Sequence, residues 1–439
     1  MPKKTTFVFA AMALVGLFAT AGWSQEKINS YRRGQAQDIL RYIAADVREH
    51  YYDPKLHGVD WDATVEHAKQ KIDKAETLDM AFLSIEAALD TLNDSNNLFY
   101  PPERTSRYDY GWQIQMIGDH CYVTQVQSKS DAEAKGVKSG DEVLTIDGYT
   151  PTRDTLRNLE HFVNTLSPRP TLRLNLRDPA GNKHTIEVKG KITLIPPERS
   201  RAAEYMDLKR EYESRQHWMR ARHAEVGQDL MILKLPTFLF ESEIDQLLDK
   251  ARKYKALIVD LRGNSDNIES IKDLVGYVFE NDVTIGDKIG RDTKQPWIVK
   301  THRPNHFSGK LVVLVDGSST GAPETFAHLI QIEKRGLVLG DLTPGRAMAA
   351  KAYFHDIGLD EDVYFSTAIT YMDVVMTDGK SLQSHGVKPD QIVLPTVEDL
   401  AKGRDPVLAR AAETLGVKLT PEAAGKMFPY EWPQHGWRQ

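Results

Sequence analysis

Ser318, Ser319 and Thr320 stand together just ahead of the helical pattern of residues 324–334. A hydroxyl in such a place can act as a nucleophile if a base takes its proton, a third group orients that base, and N–H donors receive the oxyanion. Two histidines could supply the base: His385, beside Gly386 in a loop, and His328, inside the helix that follows the hydroxyls. His385 is the better placed of the two. The plainer role for Ser and Thr before a helix is to cap it. Cys121 is the only cysteine and lies in the apolar, β-rich run Cys121-Tyr122-Val123, where a buried small side chain is expected rather than a reactive thiol. A single cysteine rules out an intramolecular disulfide and a cysteine-based metal cluster.

These groups need a scaffold, and the pattern around them supplies one. Residues 230–235, 256–261 and 311–315 are continuous apolar runs, separated by helical patterns at 242–254, 270–279 and 324–334. Such alternation predicts a mostly parallel sheet covered by helices. The chain is expected to return to this sheet near 363–371 and to close with a helix over 399–415. Upstream, residues 35–92 read as helical, with Ile39, Ile43 and Val47 on one face and Phe82, Ile85, Leu89 and Leu92 on another. Asn93-Asp94-Ser95-Asn96-Asn97 breaks the last helix, and Pro101-Pro102 prevents its resumption. Between them lies a small β-rich module with strand-like runs at 113–117, 122–126, 142–146, 172–176 and 185–188, interrupted by a helix at 154–166. After Pro196-Pro197 a highly charged stretch, 199–222, reads as a solvated arm.

A chain of 439 residues is long enough for about two to three domains. With 41% hydrophobic and 27% charged residues it has a globular balance, and a net charge of −6 gives no footprint for nucleic acid or an anionic membrane. The first 25 residues differ: Lys3 and Lys4, then an apolar run over 7–21, then small residues. This is the pattern of a secretory signal peptide, cleaved after Ala21 or after Ser24. No later stretch is long enough to span a bilayer, so a periplasmic or extracellular protein with no integral membrane span after cleavage is expected. The expected divisions are a signal peptide (1–25), N-terminal helices (26–104), the β-rich module (105–192), a charged linker (193–227), the α/β core (228–418) and a tail (419–439). No metal or cofactor is implied.

Within the module, Ala132-Glu133-Ala134-Lys135-Gly136-Val137 followed by Ser139-Gly140-Asp141-Glu142-Val143-Leu144-Thr145-Ile146-Asp147-Gly148 resembles the signature of a bacterial PDZ domain. The local physics agrees: a helical turn ends at Gly136, a Gly-Asp turn starts a strand, and Asp147-Gly148 makes a tight hairpin. The resemblance implies that an extended peptide adds to a sheet edge while backbone N–H groups hold its terminal carboxylate. The implied peptide-binding residues are Tyr110, Gly111, Trp112 and Gln113, with Gly111 letting the backbone approach an anion. The alternative is that Trp112 is packing and the chain itself fills the groove.

The core resembles the tail-specific, or C-terminal-processing, protease family, which includes relatives of the tricorn core protease and of retinoid-binding proteins of the eye. Four ordered motifs carry the resemblance: residues 256–264 ending in Asp260-Leu261-Arg262-Gly263-Asn264; 311–316 ending in Val315-Asp316; 334–341; and Asp378-Gly379-Lys380-Ser381 with Gly386-Val387-Lys388-Pro389-Asp390. In that family the nucleophile is the middle serine of a segment resembling S-A-S-A-S-E. The segment here is Ser319-Thr320-Gly321-Ala322-Pro323-Glu324, which aligns without a gap and puts Gly321 at the nucleophile position. The histidine of a motif resembling D-S-H-T falls on Asn96, and its acidic partner falls on Gln383. A second branch of the family uses a lysine 25 residues after the serine, which is Arg346 here and stays protonated near neutrality. The resemblance also implies an oxyanion region at Gly263, Asn264 and Ala322, but the Gly-Gly that normally follows is Ser265-Asp266.

The expected architecture is therefore an α/β multidomain chain with N-terminal helices, a PDZ-like β-rich module and a protease-like core with a mostly parallel sheet. The expected function is a catalytically impaired family member that binds polypeptide C-termini or unfolded segments. An active serine endopeptidase using Ser319 or Thr320 with His385 is the alternative, and a carrier of small apolar ligands is a second.

Overall fold

The computed structural model describes residues 27–102, 106–194, 219–238, 241–301, 305–357 and 363–432. The expected signal peptide and most of the charged arm lie outside them. Among the described residues no helix is long and apolar enough to cross a membrane.

Three helices open the fold, Ser30–His50, Trp61–Lys74 and Leu78–Asp90, each capped by a side chain that accepts a backbone N–H: Asn29, Asp60 and Thr77. Ile39, Ile43 and Val47 of the first pack with Phe82, Ile85 and Leu89 of the third in one buried cluster, so the two apolar faces read separately in the sequence meet. The turn after the third helix carries Asn93 at φ 51°, and Asn97 Oδ1 receives the Thr370 N–H at 2.8 Å. That bond fastens the 94–97 turn to a strand far along the chain.

The β-rich module is a five-stranded antiparallel sheet in chain order: Trp112–Ile117, His120–Val126, Glu142–Ile146, Thr171–Arg177 and Lys183–Lys189. The expected single helix is shorter, Leu156–His161, continued by a π turn over Phe162–Leu166. Its apolar face joins the same cluster as the N-terminal helices.

The core sheet has six strands in chain order: Arg222–Val226, Leu230–Lys234, Ala256–Asp260, Lys310–Val315, Leu337–Gly340 and Gln391–Ile392. Only the first pairs antiparallel. Every residue of Ala256–Asp260 is buried, as a strand covered on both faces requires, with about 1.5–3 kcal/mol for each large apolar side chain removed from water. Helices Glu241–Ala251, Lys272–Val278 and Ala322–Ile332 cover one face, and Pro406–Thr414 with Pro421–Gly425 covers the other. The helix expected over 399–415 is two, because Gly403 ends Val397–Lys402 in the left-handed region and Asp405 caps a new helix that starts at Pro406. Arg262 donates to both Asp260 and Asp405, tying that second helix to the sheet.

The expected return to the core sheet at 363–371 is corrected by the structure. Val363–Met376 belongs to a second, antiparallel sheet with Leu98–Tyr100, Val283–Gly290, Lys294–Val299 and Ala349–Ile357. Its buried residues alternate, the period of a half-buried antiparallel strand. Leu337–Gly340 and Gln391–Ile392 take the parallel positions instead.

Candidate functional site

The turn after Lys310–Val315 delivers Gly321 to the start of helix Ala322–Ile332. Asp316 organises that turn: its Oδ1 accepts the N–H groups of Gly263 at 3.1 Å and Ser318 at 3.0 Å. The Ser319 hydroxyl is fully buried; its oxygen accepts the Asp316 N–H at 2.9 Å and lies 3.0 Å from both Leu261 O and Asp316 Oδ1. Ser319 is thus part of the turn's internal bonding. No hydrogen bond joins Ser318, Ser319 or Thr320 to either candidate base among the described residues. His385 is exposed and bonds Gln383 O through Nδ1 at 2.8 Å, while His328 pairs with Asp378 at 3.1 Å.

Gly321 has φ 69° and ψ −111°, and a Cβ built on it would lie 2.3 Å from the backbone oxygen of Asp266. Both the conformation and the space exclude an ordinary side chain. The same oxygen accepts the Ala322 N–H at 2.9 Å, and Asn264 O accepts the Thr320 N–H at 3.0 Å. Asn264 is buried, donating from Nδ2 to Leu235 O at 3.0 Å and accepting the Asp266 N–H at 3.0 Å. Asp266 Oδ2 in turn accepts the Thr237 hydroxyl at 2.7 Å and the Phe238 N–H. The Ser265-Asp266 segment is therefore pinned from both sides across the position where a nucleophile would stand. The N–H groups of Gly263 and Ala322, expected in the oxyanion region, are already donated within the chain.

Glu324, in the first turn of the helix, binds the neighbouring loop. It accepts N–H groups from Gly321 at 3.1 Å, Gly345 at 2.6 Å and Arg346 at 2.9 Å, and the Thr343 hydroxyl at 2.7 Å. Burial raises its carboxyl above the ordinary range despite these donors.

Through that loop the second half of the site is assembled. Asn96 Nδ2 donates to Met348 O and to Gln383 Oε1, each at 3.4 Å; Gln383 Oε1 also accepts the Met348 N–H at 3.3 Å. The structure thus brings together the positions implied for a histidine and its carboxylate, separated by nearly the whole core in sequence. Both hold neutral amides, which cannot take up a proton near neutral pH. Asp94, which sequence reasoning did not single out, lies behind them, accepting the Asn96 N–H at 3.0 Å and Gln383 Nε2 at 3.4 Å, its carboxyl raised by burial. Arg346 leads out of the loop toward this pair. Its guanidinium makes no hydrogen bond or ion pair among the described residues, and burial with the nearby charge of Arg157 lowers it to about 9.

At the edge of the β-rich module, Tyr110 and Trp112 are buried and stacked with centroids 5.7 Å apart, and the Tyr110 hydroxyl donates to Arg169 O at 2.7 Å. Gly111 N–H donates to Asp109 Oδ1 at 2.9 Å. A Cβ on Gly111 would meet Ser130 Cβ at 2.4 Å with φ at +73°, so helix packing is a second reason for this glycine, beside the expected approach of an anion. Gln113 is half-buried and its carbonyl accepts the Thr124 hydroxyl. On the outer edge of the same strand, the core's Gly317 is packed so closely that a Cβ would meet Met116 O at 2.7 Å and an Arg153 nitrogen at 3.2 Å. Arg153 also pairs with Asp341 at 2.7 Å, and Gln115 with Asp316 at 2.6 Å.

Comparison with known proteins fits this geometry. A family model for Peptidase family S41 matches residues 229–393, and one for the tricorn protease C1 domain matches residues 35–79. The chain is similar to a tail-specific protease of Haemophilus influenzae, 26% identical over 185 residues covering 39% of this chain and 26% of the relative. It is also similar to the carboxy-terminal processing protease CtpB of Bacillus subtilis, 21% identical over 303 residues covering 64% of this chain and 57% of the relative. These matches thus reach only about a quarter and somewhat over half of the relatives' lengths. Among solved structures, mature CPAF complexed with lactacystin superposes with a TM-score of 0.62 at 14% identity, covering 85% of this chain and 96% of that one. The photosystem II D1 C-terminal processing protease superposes at 0.51 with 17% identity, covering 86% and 97%. The α/β core over residues 229–393 thus matches Peptidase family S41 and the first helices match the tricorn C1 domain, which supports the tail-specific, C-terminal-processing protease family as the one this chain resembles.

Proposed function

We propose that this protein is an exported, non-cleaving member of its family that binds polypeptide C-termini. The observation that carries the reading is at Gly321, where the nucleophile position has no hydroxyl and the room for one is taken by the Asp266 carbonyl. The amides at Asn96 and Gln383 and the committed N–H groups of Gly263 and Ala322 support it independently. Loss of a nucleophile or its base costs on the order of a million-fold in turnover, so no useful cleavage survives. Polypeptide ends remain the natural ligand class, because the relatives are named for processing at chain termini and the module's sequence is PDZ-like.

The test is exposure of the purified mature protein to an unfolded polypeptide and to a serine-directed phosphonylating reagent. The expected result is intact polypeptide and unchanged protein mass. An adduct mapped to Ser318, Ser319 or Thr320, and abolished by substitution there, would establish the displaced-nucleophile reading instead.

A further inference from the structure

Strand Ala349–Ile357 lies at an edge of the second sheet and pairs only with Val363–Met376 among the described residues. The bonds of Thr370 fix which of its backbone groups that pairing uses. Thr370 donates its N–H to Asn97 Oδ1 at 2.8 Å, and its C=O accepts the Tyr52 N–H at 3.0 Å, so both groups face away from the edge strand. A strand residue turns both groups to one side and its neighbours turn theirs to the other, so Ile369, Thr367 and Phe365 bond the edge strand at Lys351, Tyr353 and His355. Ala350, Ala352, Phe354 and Asp356 therefore direct their N–H and C=O groups outward, and none of these groups has a partner among the described residues. The strand is held firmly from behind: Tyr353 stacks on His50 with centroids 4.2 Å apart, and His355 bonds Asp46 at 2.7 Å. Its front is apolar where a half-buried antiparallel strand is ordinarily polar: Phe354 is 81% exposed, and Tyr364 on the same face is 44% exposed.

We infer that this free edge takes up an extended polypeptide as an added strand, with an apolar side chain of the incoming chain against Phe354. The inference rests on the chain-end reading above and names what holds the body of the chain behind its end. The outward residues offer N–H and C=O groups in the alternation that another extended backbone matches. Edge strands are commonly blunted by proline or by a bulge. Here the strand contains no proline, and its register shift is confined to Ala349–Ala350, leaving the rest of the edge regular. Position favours a polypeptide over a second copy of this chain. The strand begins next to Met348, whose C=O and N–H bond Asn96 and Gln383, so a chain paired with it leads to the candidate site.

The experiment passes a pool of random decapeptides with free C-termini, and the same pool N-methylated at alternate backbone positions, over the immobilised mature protein, with retained peptide measured by mass spectrometry. The N-methylated pool should be retained at least about ten-fold less, because each methyl removes a donor that strand pairing needs. Ala352→Pro removes an outward N–H and no bond to Val363–Met376. It should cut retention of the plain pool about as far, while the protein unfolds at nearly the wild-type denaturant concentration. Phe354→Ser should lower retention of peptides with large apolar residues and leave that of polar peptides unchanged, and it serves if Ala352→Pro fails to fold. Amide exchange over residues 349–357 should slow when the plain pool is bound. Retention indifferent to N-methylation and to both substitutions would overturn the proposal while sparing the chain-end reading. Retention of no peptide by wild type would overturn both. A dimer in light scattering that Ala352→Pro splits would make the edge an interface between copies and overturn the proposal as well.

Discussion

At the scale of single residues, the proposed non-cleaving reading rests on more than the side chains at Gly321, Asn96 and Gln383. Gly321, Asn96 and Gln383 were read at the implied nucleophile, base and acid positions because their flanking motifs resemble those of the family. The Asp266 carbonyl was not legible, since a backbone oxygen has no letter; only the change from Gly-Gly to Ser265-Asp266 hinted at it. Once placed, the Asp266 carboxylate explains the occlusion by holding Thr237 and Phe238. The triple variant Gly321→Ser, Asn96→His, Gln383→Glu is therefore expected to stay inactive. It should also be less stable than wild type by about 1–3 kcal/mol, the cost of a side chain in a conformation suited to glycine, read from a denaturant midpoint. Adding Ser265→Gly and Asp266→Gly, which releases this segment from Thr237 and Phe238, should let the Asp266 backbone move aside and allow the first detectable hydrolysis of an unfolded polypeptide. Full activity in the triple variant alone would show that the Asp266 carbonyl is no obstacle.

At the scale of elements, apolar periodicity found the N-terminal helices, the module's five strands and the first parallel strands of the core. It missed hairpin Val283–Gly290 with Lys294–Val299, whose Asp287, Lys288 and Lys294 make it read as loop, and it assigned residues 363–371 to the wrong sheet because partner choice is a long-range matter. One element carries a testable cost. Glu86 and Asp90, one turn apart on helix Leu78–Asp90, are both raised, Glu86 by burial and the charge of Asp90, Asp90 to about 7 by burial. A folded-state pKa above the unfolded value means the protonated pair favours folding. That stability is fully present below about pH 4 and is lost as pH rises through about 7. Asp90→Asn should remove part of the loss, gaining on the order of 1–3 kcal/mol relative to wild type at roughly pH 8 and little at roughly pH 4. Urea unfolding at the two values checks it; an equal effect at both would mean the pair does not titrate in this range.

At the scale of the whole molecule, the β-rich module and the core are locked at one edge by Arg153–Asp341, Gln115–Asp316, and the Gly118 N–H donated to Asp341 at 2.9 Å. These contacts follow the ends of core strands Lys310–Val315 and Leu337–Gly340, the region that also carries the Gly321 turn. The edge of the β-rich module and the Gly321 turn thus share one framework. The most direct test is to load the mature protein with a free-acid peptide, remove unbound material, hold the complex through a prolonged incubation, and weigh the peptide recovered. The account predicts that it is retained and returns at its original mass; a shortened peptide, or none retained, would contradict it.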